Sequence, residues 1–152
     1  MSGIKIVAEN RKARHDYEII ETFEAGLALT GSEVKSLRAG SCQLKDAYVA
    51  FKGNEAYLQK AHISEYKASS YNNHHPERLR KLLLHKHELE KIHGATREKG
   101  YSCVPLKVYF KKGWAKVQIA LVRGKKRQDK RQTIKKKEAQ REMQRQLKKS
   151  RR

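Results

Sequence analysis

Two carboxylates, Glu24 and Glu33, and seven histidines are the side chains with the widest chemical range in this sequence. General acid–base work needs a carboxylate and an imidazole aimed at one point. His15 and Asp16 are adjacent, and neighbours in a strand point to opposite faces, so they predict no catalytic pair. Glu24 lies beside an Ala25-Gly26 turn signal. Glu33 falls in the first turn of a predicted helix, where its charge suits the helix dipole. Both read as structural. His74-His75, His85, His87 and His93 offer imidazoles, yet their spacing matches no usual zinc pattern and no cysteine or paired carboxylate completes a set. His85 and His87, two apart, are expected on different helical faces. The sequence holds no nucleophile elbow, Walker loop or glycine-rich dinucleotide loop. It therefore predicts no catalytic residue, no metal and no cofactor.

Positive charge is what the chain has in quantity. Its 152 residues carry 36 Lys or Arg against 16 Asp or Glu, a formal net charge of +20. That excess opposes compaction and favours a polyanionic partner, nucleic acid first. Two basic clusters stand out as candidate RNA contacts: Arg11, Lys12, Arg14 and His15, then Arg78, Arg80 and Lys81, with Lys86 and His87 beyond. Each alone is an ordinary solvated face. The longest unbroken aliphatic run is Ile119-Ala120-Leu121-Val122, against about 20 apolar residues needed to span a bilayer, and the first ten residues hold no secretory core. The expectation is a cytoplasmic protein without membrane contact. Cys42 and Cys103 are isolated and form no CxxC. Two free thiols in a reducing compartment is the simpler reading, with a disulfide between them as the alternative.

The elements that must position these residues fall into two parts divided at Gly124. Residues 1–123 have the length of one compact domain and a net charge of +9; the 29 residues 124–152 hold 14 Lys or Arg against Asp129, Glu138 and Glu142, a net +11. The body reads mostly as strands. Residues 17–23 and Leu27-Ala28-Leu29 flank Ala25-Gly26 as a predicted hairpin. Residues 47–51 and 56–58 flank Gly53-Asn54, and Val104–Phe110 and Trp114–Val122 flank Lys111-Lys112-Gly113. In the last strand Val117, Ile119 and Leu121 share one face at period two. Three hairpins suggest an antiparallel barrel, since closure removes sticky edges. Ser32–Arg38 reads as a short helix capped by Ser32 and stopped at Gly40. Pro76–His93 reads as helix ending at Gly94, in one piece or broken near His85; its three successive leucines cover too wide an arc for one apolar stripe, so one is expected to face outward.

From Lys125 onward there is neither Gly nor Pro, and Ala139, Met143 and Leu147 align at spacing four. Against helix stand seven basic pairs at i,i+4, costing roughly 1.5–3.5 kcal/mol together at low salt. An isolated helix is already marginal in water, so the free tail is expected to be disordered. Phosphates would neutralise the row and let it fold.

Several longer motifs then occur in order: Asn10-Arg11-Lys12-Ala13-Arg14-His15-Asp16-Tyr17, Glu24-Ala25-Gly26-Leu27-Ala28-Leu29 and residues 31–40. After them come Arg80-Lys81-Leu82-Leu83-Leu84-His85, Val104-Pro105-Leu106, and Gly124-Lys125-Lys126 with Asp129-Lys130-Arg131. From about Asn10 to Lys135 the sequence resembles the bacterial SsrA-binding proteins (small protein B), which bind transfer-messenger RNA in the rescue of stalled ribosomes. The resemblance implies a mainly β fold, an OB-like antiparallel β-barrel with a few α-helices and a basic C-terminal tail. It implies a non-enzymatic, monomeric adaptor that grips the tRNA-like domain of transfer-messenger RNA through Glu24, Leu83 and His85, where relatives carry Asn or His at the last. An outward Leu83 would account for the excess leucine by packing on a base or ribose. A carboxylate at Glu24 would read base edges where Lys and Arg give mainly affinity. The resemblance also implies that the tail, through Lys126, Asp129, Lys130 and Arg131, enters the small-subunit decoding centre and the empty mRNA channel of the ribosome, becoming helical there. Gln128 stands where His or an aromatic is expected, and His75 where an acid often precedes the proline. Charge alone would equally fit a constitutive ribosomal protein or RNA chaperone, and a small RNA-processing enzyme is the third reading.

Overall fold

The computed structural model describes residues 4–66, 73–124 and 138–145. In chain order the body runs β1 (Ile4–Glu9), α1 (Arg11–Asp16), β2 (Tyr17–Leu27), α2 (Gly31–Arg38), β3 (Cys42–Gln43), β4 (Tyr48–Lys52), β5 (Glu55–Gln59), β6 (His62–Ile63), β7 (Arg80–Leu83), α3 (Lys86–Glu98), β8 (Ser102–Lys111) and β9 (Trp114–Gly124). Residues 138–145 form a further helix, α4.

Seven strands make one antiparallel sheet in the order β1-β8-β9-β2-β7-β5-β4, while β3 and β6 pair separately. The sheet curls until β4 lies across β8. Its inner face buries Phe23, Ala25, Leu58, Leu82, Val117 and Ile119 with their neighbours. Among the described residues no ladder joins β1 to β4, so this OB-like sheet is curled but not sealed into a barrel by a hydrogen-bonded seam.

The two tight hairpins form where the turn residues put them. Lys112 (φ 52°) and Gly113 (φ 82°) are both left-handed, the geometry that matches strand twist, and Gly53 (φ 62°) turns β4 into β5. In β9, Val117, Ile119 and Leu121 are buried as alternation predicts. Ala120 and Val122 on the other face are buried as well, beneath Ala13 of α1 and beside Val104 and Leu106. Asn10 anchors that helix. Its side-chain oxygen accepts from the Ala13 amide (3.2 Å), and its amide donates to the carbonyls of Leu44 (3.2 Å) and Pro105 (3.0 Å).

Three expectations are corrected. No hairpin forms at Ala25-Gly26: β2 runs unbroken for 11 residues, and Gly26 is small because β7 lies against it. Pro76–His93 is neither one helix nor two. A turn at 76–77 leads into β7, and α3 starts only after His85 and passes through Gly94 to Glu98. Pairing of β7 with both β2 and β5 outweighs the helix propensity of its leucines. The helix near Ser32 is present, but its cap is Thr30. Thr30 accepts from the Glu33 amide (3.4 Å) while the Glu33 carboxylate accepts from the Thr30 amide (2.9 Å), a capping box.

Candidate nucleic-acid interface

Alternation along β2 sends Phe23, Ala25 and Leu27 into the core, and hence Glu24 and Gly26 to the outer face. Across that outer face Gly26 stands opposite Leu83 of β7 and Lys116 of β9. Lys116 in turn faces Tyr109 of β8, and Tyr109 faces Ile6 of β1. One step along, Glu24 faces Gln118, and Gln118 faces Lys107. The helix α1 covers one end of this face, over Ala120 and Val122. At the other end Leu83 stays open. Leu82 is 4% exposed and Leu83 is 54% exposed, while Leu84 packs half-buried against the core, which resolves the run of three into two inward residues and one outward one.

Glu24 is tied into the same surface. The Tyr109 hydroxyl donates to its Oε2, and the Lys111 ammonium lies 3.5 Å from the same oxygen. The Tyr109 hydrogen bond, aided by the Lys111 and Lys116 charges, holds the Glu24 carboxyl below its usual range against the opposing effect of partial burial. Burial first, and the Glu24 partner second, push the Tyr109 phenol up. Glu24 is therefore an ionised acceptor set among lysines, able to receive hydrogen bonds from a base edge.

Lys81 points to the same side as Leu83, two residues away on β7, and pairs with Glu55 (3.0 Å) with both side chains about half exposed. His85 is exposed two residues after β7, at the N-cap position of α3 but without a side-chain capping hydrogen bond. Its ring stacks with His87 at 5.7 Å; the expected separation fails because His85 precedes the helix rather than lying in it. Arg11 and Arg14 are exposed on α1 and, with Glu9 and Lys107, line a cleft of about 180 Å³. Lys12 is also exposed and borders a larger cleft of about 490 Å³ between α1 and β4.

Residues 7–149 match the family described as SmpB protein. This chain belongs to the SmpB family. An SsrA-binding protein of Bdellovibrio bacteriovorus is 66% identical over 149 residues, covering 98% of each chain. One from Shouchella clausii is 57% identical over 95% of this chain and 92% of its own. A solved chain from "tmRNA-SmpB: a journey to the center of the bacterial ribosome" superposes with a TM-score of 0.67 at 50% identity, covering 84% of this chain and 93% of that one.

Within the SmpB fold, one expected RNA contact is corrected. Arg80 is fully buried. Its Nε donates to Glu33 (2.5 Å), one terminal nitrogen to the Ala61 carbonyl (2.5 Å) and the other to Pro76 (2.9 Å). Arg78 joins from the surface, donating to Glu33 (2.6 Å) and to the Ala28 carbonyl (3.2 Å). Glu33 is buried too. Burial alone would raise its carboxyl, but hydrogen bonds from Arg78, the Thr30 amide and Arg80 outweigh that and hold it at about 2. These groups fasten α2 to β7, and the buried Arg80 and Glu33 are closed to a ligand.

The histidines and cysteines have comparable local explanations. His15 and Asp16 do pair (3.1 Å), because they end a helix rather than lie in a strand. His74 receives the Ser32 hydroxyl (2.8 Å) and donates to the Ile63 carbonyl (2.8 Å). His93 stacks on Phe51 at 4.6 Å. Among the described residues no group of three His, Cys, Asp or Glu is placed to hold a metal. Cys42 and Cys103 are free thiols, pushed by burial to about 11 and about 12, which makes them poor nucleophiles. No helix among the described residues is long and apolar enough to cross a membrane.

Sequence reasoning missed Tyr109, Lys107, Lys111 and Lys116 on the open face. The alternation in β8 and β9 carried that signal, since core residues at one parity leave these at the other. The tail positions Lys126, Gln128, Asp129, Lys130 and Arg131 lie outside the described residues.

Proposed function

We propose that this chain is a cytoplasmic, monomeric, non-enzymatic adaptor that binds transfer-messenger RNA and delivers it to stalled ribosomes for trans-translation. Membership of the SmpB family, relatives named for SsrA binding and a solved relative described with tmRNA and the bacterial ribosome support this reading. The observation that carries it here is the outward Leu83 beside an ionised Glu24 on an uncovered sheet face.

The division of labour follows from chemistry. Glu24 accepts hydrogen bonds from a base edge, which selects. Leu83 packs on a base or ribose of the tRNA-like domain, with His85 beside it. Lys81, Lys116, Arg11, Lys12 and Arg14 supply sequence-independent phosphate contacts. The segment 124–152, in which residues 138–145 are already helical as α4, follows the phosphate-lined decoding centre and mRNA channel as a helix, through Lys126, Asp129, Lys130 and Arg131. A message filling the channel excludes it by overlap, so occupancy is tested without catalysis.

Leu83→Ala and Glu24→Ala test the reading. Each is expected to weaken binding to transfer-messenger RNA at least several-fold in a filter or anisotropy assay while the melting temperature holds. Unchanged affinity in both would remove the site.

A further inference from the structure

Trp114 opens β9 with 73% of its surface exposed, although it is the one tryptophan in the chain. An indole left in water contributes little to the core. Its position is fixed by the tight Lys112-Gly113 turn. Across the ladder it faces Lys111, which faces Ile4; one step along, Lys116 faces Tyr109, which faces Ile6. Ile4 and Ile6 are 43% and 48% exposed, so exposed apolar side chains interleaved with lysines share the outer face with Leu83. The link to Glu24 is direct, because Lys111 stands between Trp114 in the ladder and the Glu24 carboxylate 3.5 Å from its ammonium.

We propose that Trp114, with Ile4 and Ile6 two strands away on the same face, is a stacking platform for an unpaired base of the RNA held on this face. The inference rests on the functional reading above and extends its site by one subsite. Charge selects the occupant. Lys111, Lys112 and Lys116 flank the indole, and a flat apolar ring framed by ammonium groups fits a chain of phosphates carrying aromatic bases. A protein partner without carboxylates here would desolvate those cations without neutralising them.

The single tryptophan makes the test direct. Transfer-messenger RNA is titrated into the full chain while indole emission, acrylamide quenching and labelled-RNA anisotropy are followed. Emission is expected to fall and acrylamide access to drop on binding. Trp114→Ala is expected to weaken binding by about 5- to 100-fold, the range for losing one base–aromatic stack. Trp114→Phe should keep most of the affinity, and the salt slope should not change, since the indole neutralises no phosphate. Unaltered emission together with full affinity in Trp114→Ala overturns the proposal and leaves the functional reading standing. Loss of ribosome binding with affinity for transfer-messenger RNA intact overturns it in favour of a contact on the ribosome. Failure of the unsubstituted chain to bind the RNA overturns the functional reading and the platform with it.

Discussion

Gly26 and Leu83 face each other across the β2–β7 ladder so closely that a Cβ on Gly26 would lie 3.2 Å from the Leu83 Cβ. The missing side chain at one residue sets where the exposed side chain of the other can rest. Gly26 thus serves the outer face rather than a turn, and its backbone needs no left-handed geometry.

Gly26→Ala is expected to displace Leu83 while costing little stability. Alanine is favoured over glycine in a strand by roughly 0.5–1 kcal/mol, and the close approach offsets about as much. Denaturant unfolding should shift by less than about 1 kcal/mol, while affinity for transfer-messenger RNA falls several-fold. Equal losses in both would mean that the glycine serves the core.

Glu33→Gln is expected to destabilise the chain by about 3–5 kcal/mol, because it strands the buried Arg80 charge. Lys81→Ala, losing only its half-exposed pair with Glu55, should cost under about 1 kcal/mol. The Glu33 carboxyl is held at about 2 against a usual 4.5. A depressed carboxyl contributes stability that is full above the unfolded value and fades as pH falls from about 4.5 towards 2, about 3 kcal/mol in all. Urea unfolding across that window should show the loss in the unsubstituted chain and a flatter profile in Glu33→Gln.

Arg11→Gln and Arg14→Gln should each lower the slope of log affinity against log salt by roughly one for every phosphate left without its cation. Arg80→Gln should unfold the domain instead of changing that slope. Titrations at several salt concentrations distinguish the two behaviours.

Ending the chain after Gly124 should leave the melting temperature and RNA affinity of the body intact, since the sheet and both apolar clusters lie before that residue. Tagging of peptides on stalled ribosomes should be lost. Tagging by the truncated chain would detach the tail from channel sensing.

Local chemistry made part of this fold legible. Gly53 and Lys112-Gly113 need left-handed backbone, so two hairpins could be placed from turn residues alone. β7 could not be. Arg80-Lys81-Leu82-Leu83-Leu84 has helix-forming residues and a blurred alternation, and only the long-range partners β2 and β5 make it a strand. Gly26 looked like a turn because its close approach to Leu83 depends on a residue 57 positions away. Arg80 looked solvated for the same reason, as its carboxylate partner sits 47 positions earlier. An outward leucine was expected from an overfull helical arc, yet it is strand alternation in β7 that turns Leu83 outward. The family motifs, rather than periodicity, pointed to Glu24 and His85.

The central claim is that the open face around Leu83 holds the RNA. Hydroxyl-radical footprinting of the full chain, free and saturated with transfer-messenger RNA, tests it most directly. Oxidation of Leu83 should fall sharply in the complex. A Leu83 as reactive at saturation as in the free protein would contradict the account.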